Sequence, residues 1–113
     1  MSFLSKLFGG NTQTNAIKVL DITDFKAAIA VKGVRLIDVR TASEFKSGAI
    51  ANAKNIDFFN RGAMQAAFSK LDPKKPVYLY CRSGNRSHQA AKILDKMGFE
   101  EIYDLKGGYM AWS

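Results

Sequence analysis

A chain of 113 residues, 47% hydrophobic and 24% charged, is long enough for one soluble globular domain with a buried core. Its formal charge of +7 favours anionic partners, but the lysines are scattered and no interleaved basic–aromatic stripe appears, so the composition speaks for a small anionic substrate and against nucleic acid. One cysteine rules out an internal disulfide and any zinc site built on thiolates, suggests a reducing, cytoplasmic setting, and no apolar segment approaches the ~20 residues of a membrane span.

The amino-terminal MSFLSKLFGG puts Phe3, Leu4, Leu7 and Phe8 on one side of a possible helical turn. It lacks the apolar core and cleavage site of a signal peptide. An amphipathic anchor is one reading; a frayed extension is the one adopted. With the polar stretch GGNTQTN it makes residues 1–15 an extension and linker and leaves 16–113 as the domain.

From there the period alternates. IKVL, residues 17–20, is a short strand, and DITDFKAAIAVKG a helix with Asp21 or Thr23 as its cap and Gly33 as its stop. VRLIDV, residues 34–39, is a compact β-branched run and therefore a buried strand. TASEFKSG has capping-box spacing, Thr41 with Glu44, and predicts a short helix ended by Gly48. Residues 60–71 are helical, with Met64, Ala67, Phe68 and Leu71 on one face. After the turn DPKKP come a strand, residues 76–81, and a helix, residues 87–98, whose apolar face is Ala90, Ile93, Leu94 and Met97. EIYDL is a last strand, and GGYMAWS closes the chain with a glycine turn and one helical turn. Strands alternating with helices predict an α/β fold: a single domain with a central, mainly parallel sheet covered by helices on both faces. In such sheets sites form beyond the carboxyl ends of the strands. Asp38 to Arg40 and Cys81 to Arg86 both fall there.

The stretch YLYCRSGNRSHQAAKIL places the only cysteine between a strand and a helix. Gly84 allows positive φ, so the N–H groups of the intervening segment, residues 82–86, can curl inward. The helix start adds unpaired N–H groups and a partial positive charge. With Arg82 and Arg86 at the rim, this is an anion cradle with a thiol at its base, a setting that favours the reactive thiolate. A buried inert cysteine would need neither the arginines nor the glycine. The spacing from Cys81 to Arg86 is C-x4-R, one residue shorter than the C-x5-R of cysteine phosphatases and some arsenate reductases. A shorter loop better fits one sulfur atom than a tetrahedral phosphoryl group.

These residues resemble the rhodanese family of sulfurtransferases. CRSGNRS is similar to the active-site loop of single-domain rhodaneses. LIDVRTASEFKSGAIANAKNI is similar to the family's amino-terminal signature, and LKGGYMAW to its carboxyl-terminal one. The resemblance covers roughly residues 17–112. The usual Gly-His-Ile is here Gly48-Ala49-Ile50, a departure expected to affect local packing rather than catalysis, and the chain stops one residue after Trp112.

The resemblance implies a sulfurtransferase of thiosulfate type. Cys81 is the nucleophile that takes a sulfane sulfur from thiosulfate or a persulfide donor, and Arg82, Ser83, Gly84, Asn85, Arg86 and Ser87 are the binding loop. It implies no cofactor and no metal. With no second cysteine, the acceptor is an external thiol, dithiol or protein, or cyanide in an assay. Asp38 and Arg40 are supporting residues, Asp38 tying the loop or its neighbour by hydrogen bonds and Arg40 pairing with Glu44. His88 reads as a solvated helix residue, Phe58 and Phe59 as core or pocket mouth, and Trp112 as a core plug. The competing readings are a binding module that performs no chemistry and a cysteine-dependent phosphatase or arsenate reductase.

Overall fold

The computed structural model describes residues 15–112, so nearly all of the expected extension lies outside the described residues. Five strands, β1 (Ile17–Leu20), β2 (Arg35–Asp38), β3 (Lys54–Asn55), β4 (Val77–Tyr80) and β5 (Ile102–Leu105), alternate with five helices. The helices are α1 (Ile22–Ile29), α2 (Ala42–Lys46), α3 (Arg61–Ser69), α4 (Asn85–Lys96) and α5 (Gly108–Trp112). The sheet order is β1-β5-β4-β2-β3 and every pairing is parallel. This is the α/β architecture expected from the alternation of periods.

β3 has no counterpart among the strands expected from the sequence. It is two residues long, too short to show a period. Its register, Ile37 beside Lys54 and Asp38 beside Asn55, is pinned by the Asn55 amide, which donates to the carbonyls of Asp38 and Arg40 at 2.9 Å each.

Alternation along the strands sorts the core into two layers. On one face Ile37, Val39, Val77, Leu79, Cys81 and Ile102 pack with Met64 and Phe68 of α3 and Ala90, Ala91 and Leu94 of α4. On the other, Leu36, Tyr80 and Leu105 pack with Phe25 of α1 and Ile50, with Tyr109 and Trp112 of α5 alongside. Phe25, Met64, Phe68 and Leu94 are fully buried, each contributing about 1.5–3 kcal/mol of transfer free energy. Trp112 is half-buried and lies under the Lys26 ammonium at 4.9 Å, so it covers the edge of a layer rather than plugging the core.

Local chemistry sets the helix starts. Asp21 accepts from Asp24 N–H at 2.9 Å, Asn60 from Ala63 N–H at 3.2 Å, and Thr41 forms a complete capping box with Glu44. Helix α4 begins two residues before the expected Ser87, with Gly84 at its cap position (φ 107°) and no side chain capping it. Asn85 and Arg86 are thus the first helical residues, and the loop is shorter than the sequence suggested.

Two tertiary contacts hold that helix start in place. Ser87 is buried, and its hydroxyl donates to Asp104 of β5 at 2.6 Å; His88 Nδ1 lies 3.7 Å from the other oxygen of that carboxyl. Behind the loop, the N–H groups of Tyr109 and Met110 donate to the carbonyls of Cys81 (2.8 Å) and Arg82 (3.0 Å). Gly108 (φ 61°) makes this approach possible. A Cβ there would stand 2.6 Å from Cys81 O, Arg82 C and Arg82 O, all backbone atoms.

Gly108→Ala should therefore lower stability by at least ~2 kcal/mol, roughly 8–16 °C in Tm for a domain of this size. Calorimetry checks it; an unchanged Tm would mean the turn relaxes freely. A second expectation concerns pH. Burial pushes the Asp104 carboxyl up from 3.8 to about 6, with the Ser87 and His88 contacts opposing. Because the folded value lies above the unfolded one, the folded state holds the extra proton between about pH 4 and pH 6. That contribution is present below about pH 4 and lost as pH rises through about 6. Between those limits the wild type should lose on the order of 2–3 kcal/mol relative to Asp104→Asn in denaturant titrations. Parallel stability curves for the two proteins would exclude it.

Candidate active site

Cys81 follows β4 directly, at its carboxyl end, and its side chain belongs to the layer that packs on α3 and α4. It is a free cysteine and only 1% exposed. The chain turns through Arg82, Ser83 and Gly84 and enters α4. Gly84 N–H donates to the Cys81 sulfur at 3.0 Å. The first N–H groups of a helix lack intrahelical acceptors, and no side chain caps these. Because the carbonyls of Cys81 and Arg82 are engaged by Tyr109 and Met110, the turn has its acceptors directed to α5. The result is a nest of backbone donors and a helix N-terminus beside a thiol, suited to negative charge on sulfur.

The sequence-identified residues are brought together unequally. Arg82 and Ser83 are exposed, and the Arg82 guanidinium makes no hydrogen bond or ion pair among the described residues. Asn85 is exposed too, accepting from the Gln89 amide at 3.4 Å. Ser87 turns its hydroxyl away from the surface to Asp104, with Gly84 O a second acceptor at 3.3 Å.

Arg86 is not the free rim cation expected. Its Nη1 donates to Glu44 Oε1 at 2.8 Å and its Nη2 to Oε2 at 3.1 Å, a bidentate pair. The pair raises Arg86 above its ordinary value, burial opposing, with the nearby Cys81 sulfur a further contribution. Glu44 is correspondingly held at about 2, first by Arg86, with burial opposing and Thr41 adding hydrogen bonds.

The expected Arg40–Glu44 pair is therefore corrected. Arg40 pairs with Asp38, Nη2 to Oδ2 at 2.6 Å and Nε to Oδ1 at 3.0 Å, with both residues buried. Residues two apart at a strand end share a face, and Arg40 N–H also reaches Asp38 Oδ1 at 2.8 Å, so the near carboxylate wins. The Asp38 carboxylate accepts from Arg40, not from the cysteine loop. Arg40 Nη2 also donates to Gly48 O at 2.7 Å, and its guanidinium sits 4.4 Å from the Tyr109 ring. Ile50 N–H donates to the Tyr80 hydroxyl at 3.0 Å. These contacts fasten the turn containing Ala49, which is half-buried, where the familiar histidine is missing.

Phe58 is core, whereas Phe59 is 64% exposed and lies 5.4 Å from the Arg86 guanidinium, so only the second stands at the mouth. The His88 side chain is 46% exposed, as expected of a solvated residue, but it faces Asp104. Three contributors were missed: Glu44, whose role as a cap was legible but whose partner 42 residues away was not; Asp104; and the α5 amides. A surface hollow of about 320 Å³ lies at the opposite, amino end of β2 and β4, lined by Val31, Lys32, Arg35, Lys75, Pro76 and Tyr78 among others. It is lined by no cysteine, histidine or carboxylate, so the loop is the candidate site. Among the described residues no group of three or more His, Cys, Asp or Glu is placed to hold a metal ion, and no helix is long and apolar enough to cross a membrane.

The chain is similar to known proteins over most of its length. The Rhodanese-like domain family matches residues 21–113. The uncharacterized protein YqhL of Bacillus subtilis is 39% identical over 100 residues, covering 88% of this chain and 75% of that protein. The thiosulfate sulfurtransferase GlpE of Shewanella oneidensis is 29% identical over 98 residues, covering 87% and 94%. Among solved structures, the human single-domain sulfurtransferase TSTD1 superposes with a TM-score of 0.70 at 25% identity, over 83% of this chain and 93% of that one. With a cysteine nest at the carboxyl end of its central strand and a family match over most of its length, the chain belongs to the rhodanese-like domain family.

Proposed function

We propose that the protein is a sulfurtransferase in which Cys81 carries a sulfane sulfur from thiosulfate, or from a persulfide donor, to an external thiol acceptor. The observation that supports this most directly is the Gly84 N–H on the Cys81 sulfur at 3.0 Å, in a turn whose carbonyls are held away by α5. In the first step the Cys81 thiolate attacks the outer sulfur of thiosulfate. The S–S bond to the sulfonate breaks, its electron pair leaves with sulfite, and Cys81 becomes a persulfide anion. In the second step an acceptor thiolate attacks the terminal sulfur, forming its own persulfide and returning the Cys81 thiolate. No oxidant or metal enters the balance. A charge on the terminal sulfur would be stabilised by the Gly84 N–H and the uncapped N-terminus of α4, dipoles fixed in advance. Arg82, exposed and unpaired among the described residues, draws in the anionic donor. Asp38 and Arg40 act at a distance, by holding the end of β2 and the Gly48 turn. The setting is proposed to be the cytoplasm.

Intact-protein mass spectrometry after incubation with thiosulfate tests the reading. The protein should gain the mass of one sulfur atom, lose it on adding cyanide, and gain nothing as Cys81→Ser. No gain, with no sulfite released, would exclude thiosulfate as donor; hydrolysis of a chromogenic phosphate ester would then favour the phosphatase chemistry. Arg82→Ala should raise KM for thiosulfate by roughly three- to tenfold, with kcat changed less than about twofold, in steady-state assays at low salt. A loss confined to kcat would remove Arg82 from donor binding.

A further inference from the structure

The Glu44–Arg86 pair has a property that neither its fold role nor the sulfur-transfer steps require. Glu44 is the N3 residue of α2, and its Oε1 receives three donors: Thr41 N–H at 3.0 Å, Thr41 Oγ1 at 3.1 Å and Arg86 Nη1 at 2.8 Å. Among the described residues Oε2 receives Arg86 Nη2 alone, at 3.1 Å. The helix cap is complete through Oε1, so among the described residues the second oxygen serves only Arg86. That guanidinium is further confined by the Phe59 ring, 5.4 Å away, and lies close enough to Cys81 to interact with its sulfur electrostatically. The Glu44 and Arg86 side chains remain partly exposed, at 29% and 18%, in contact with the solution from which donors arrive. The pair is therefore a nearly neutral unit at the rim of the cysteine nest, where an unpaired arginine would have given a full positive charge.

We infer that Glu44 is a specificity-determining residue, which by neutralising Arg86 lowers the affinity of the nest for dianions and leaves it to donors of smaller charge, such as monoanionic thiosulfonates and persulfides. It acts through Arg86 and touches no substrate, so it is a positioning residue. The inference rests on the sulfur-transfer reading for its account of donors. The electrostatic claim itself concerns any anion in the nest. A carboxylate a few ångströms beyond the guanidinium repels a dianion about twice as strongly in energy as a monoanion at the same place. The fold-change for the dianion is then the square of that for the monoanion.

Glu44→Gln isolates this. Glutamine keeps an Oε1 acceptor and is equally at home at the N3 position of a capping box, so α2 keeps its start. Asp24→Asn, an exposed carboxylate of α1, removes the same charge elsewhere and serves as the control. Sulfur loading of Cys81 is measured with two donors of the same chemistry. Thiosulfate, a dianion, releases sulfite; methanethiosulfonate, a monoanion, releases methanesulfinate. In low salt, Glu44→Gln should lower KM for thiosulfate by roughly three- to tenfold and for methanethiosulfonate by about two- to threefold, with kcat unchanged within about twofold. The differences should shrink as salt is added, and Asp24→Asn should behave as wild type.

A second measurement needs no turnover. Titration of the 15N-labelled proteins with sodium sulfate, followed by the amide shifts of Gly84 to Ser87, should give a Kd roughly three- to tenfold lower for Glu44→Gln. Unchanged KM values and an unchanged sulfate Kd would overturn the inference. So would equal fold-changes for both donors, or an equal effect of Asp24→Asn. If none of the proteins takes up sulfur while sulfate still binds more tightly to Glu44→Gln, the transfer reading fails and the charge-tuning role stands. The spectra also report whether each variant is folded.

Discussion

Everything at the candidate site depends on where two carbonyl groups point. The chain leaving β4 could present either its carbonyls or its amides to the space above the Cys81 sulfur. The N–H groups of Tyr109 and Met110 take the carbonyls of Cys81 and Arg82, and the amides are left for the thiol side. This needs α5 to come within bonding distance of the turn from behind, which Gly108 alone allows, since any Cβ would occupy the place of the Arg82 backbone. The carboxyl-terminal glycine motif is thus a support for the cysteine loop, although the two lie more than 20 residues apart. The other side of the loop is fixed by burial: Ser87, held to Asp104, sets the height of the first turn of α4 over β5.

That geometry also explains what the sequence showed and what it concealed. Strands β2, β4 and β5 were readable because β-branched and aromatic runs end at glycine, proline or charged turns. The caps at Asp21 and Thr41 were readable because a cap is chemistry within four residues. The start of α4 was misplaced because Ser87 looks like a conventional capping residue, whereas the helix starts at an uncapped Gly84. An uncapped start is unfavourable for a helix and useful for an anion, so the local rule fails where the functional demand takes precedence. β3 escaped because two residues carry no period. The pairing of Arg40 was misjudged because sequence proximity offered both Asp38 and Glu44 as partners. Nothing local shows that Glu44 is already taken by Arg86 across the site.

The ion pairs change the meaning of the basic composition. Of the three arginines near the loop, Arg40 is paired with Asp38 in the interior and Arg86 with Glu44 at the rim. Only Arg82 is left without an ion pair among the described residues. The formal charge of +7 therefore reaches the candidate site as one open guanidinium and a set of backbone dipoles. Long-range attraction by the net charge is screened within about 10 Å at ordinary salt, whereas a dipole in contact with the reacting sulfur is not. In the proposed reaction, recognition of the sulfur itself would then fall to amides, and the cations would bear mainly on what the sulfur arrives with.

This division suits a persulfide better than a free oxyanion. A terminal persulfide sulfur carries a single negative charge on one large atom, fixed by its bond to Cys81, and needs converging donors rather than a strong field. A strongly cationic nest would hold released sulfite and slow the exchange of donor for acceptor. Pairing Arg86 with Glu44 weakens the field while keeping the guanidinium as a rigid wall against Phe59. With Cys81 only 1% exposed, an acceptor in the proposed reaction would meet the sulfur at the surface of the loop rather than the cysteine beneath it. A modest field at the rim is the condition under which both a negatively charged donor and a thiolate acceptor can come and go.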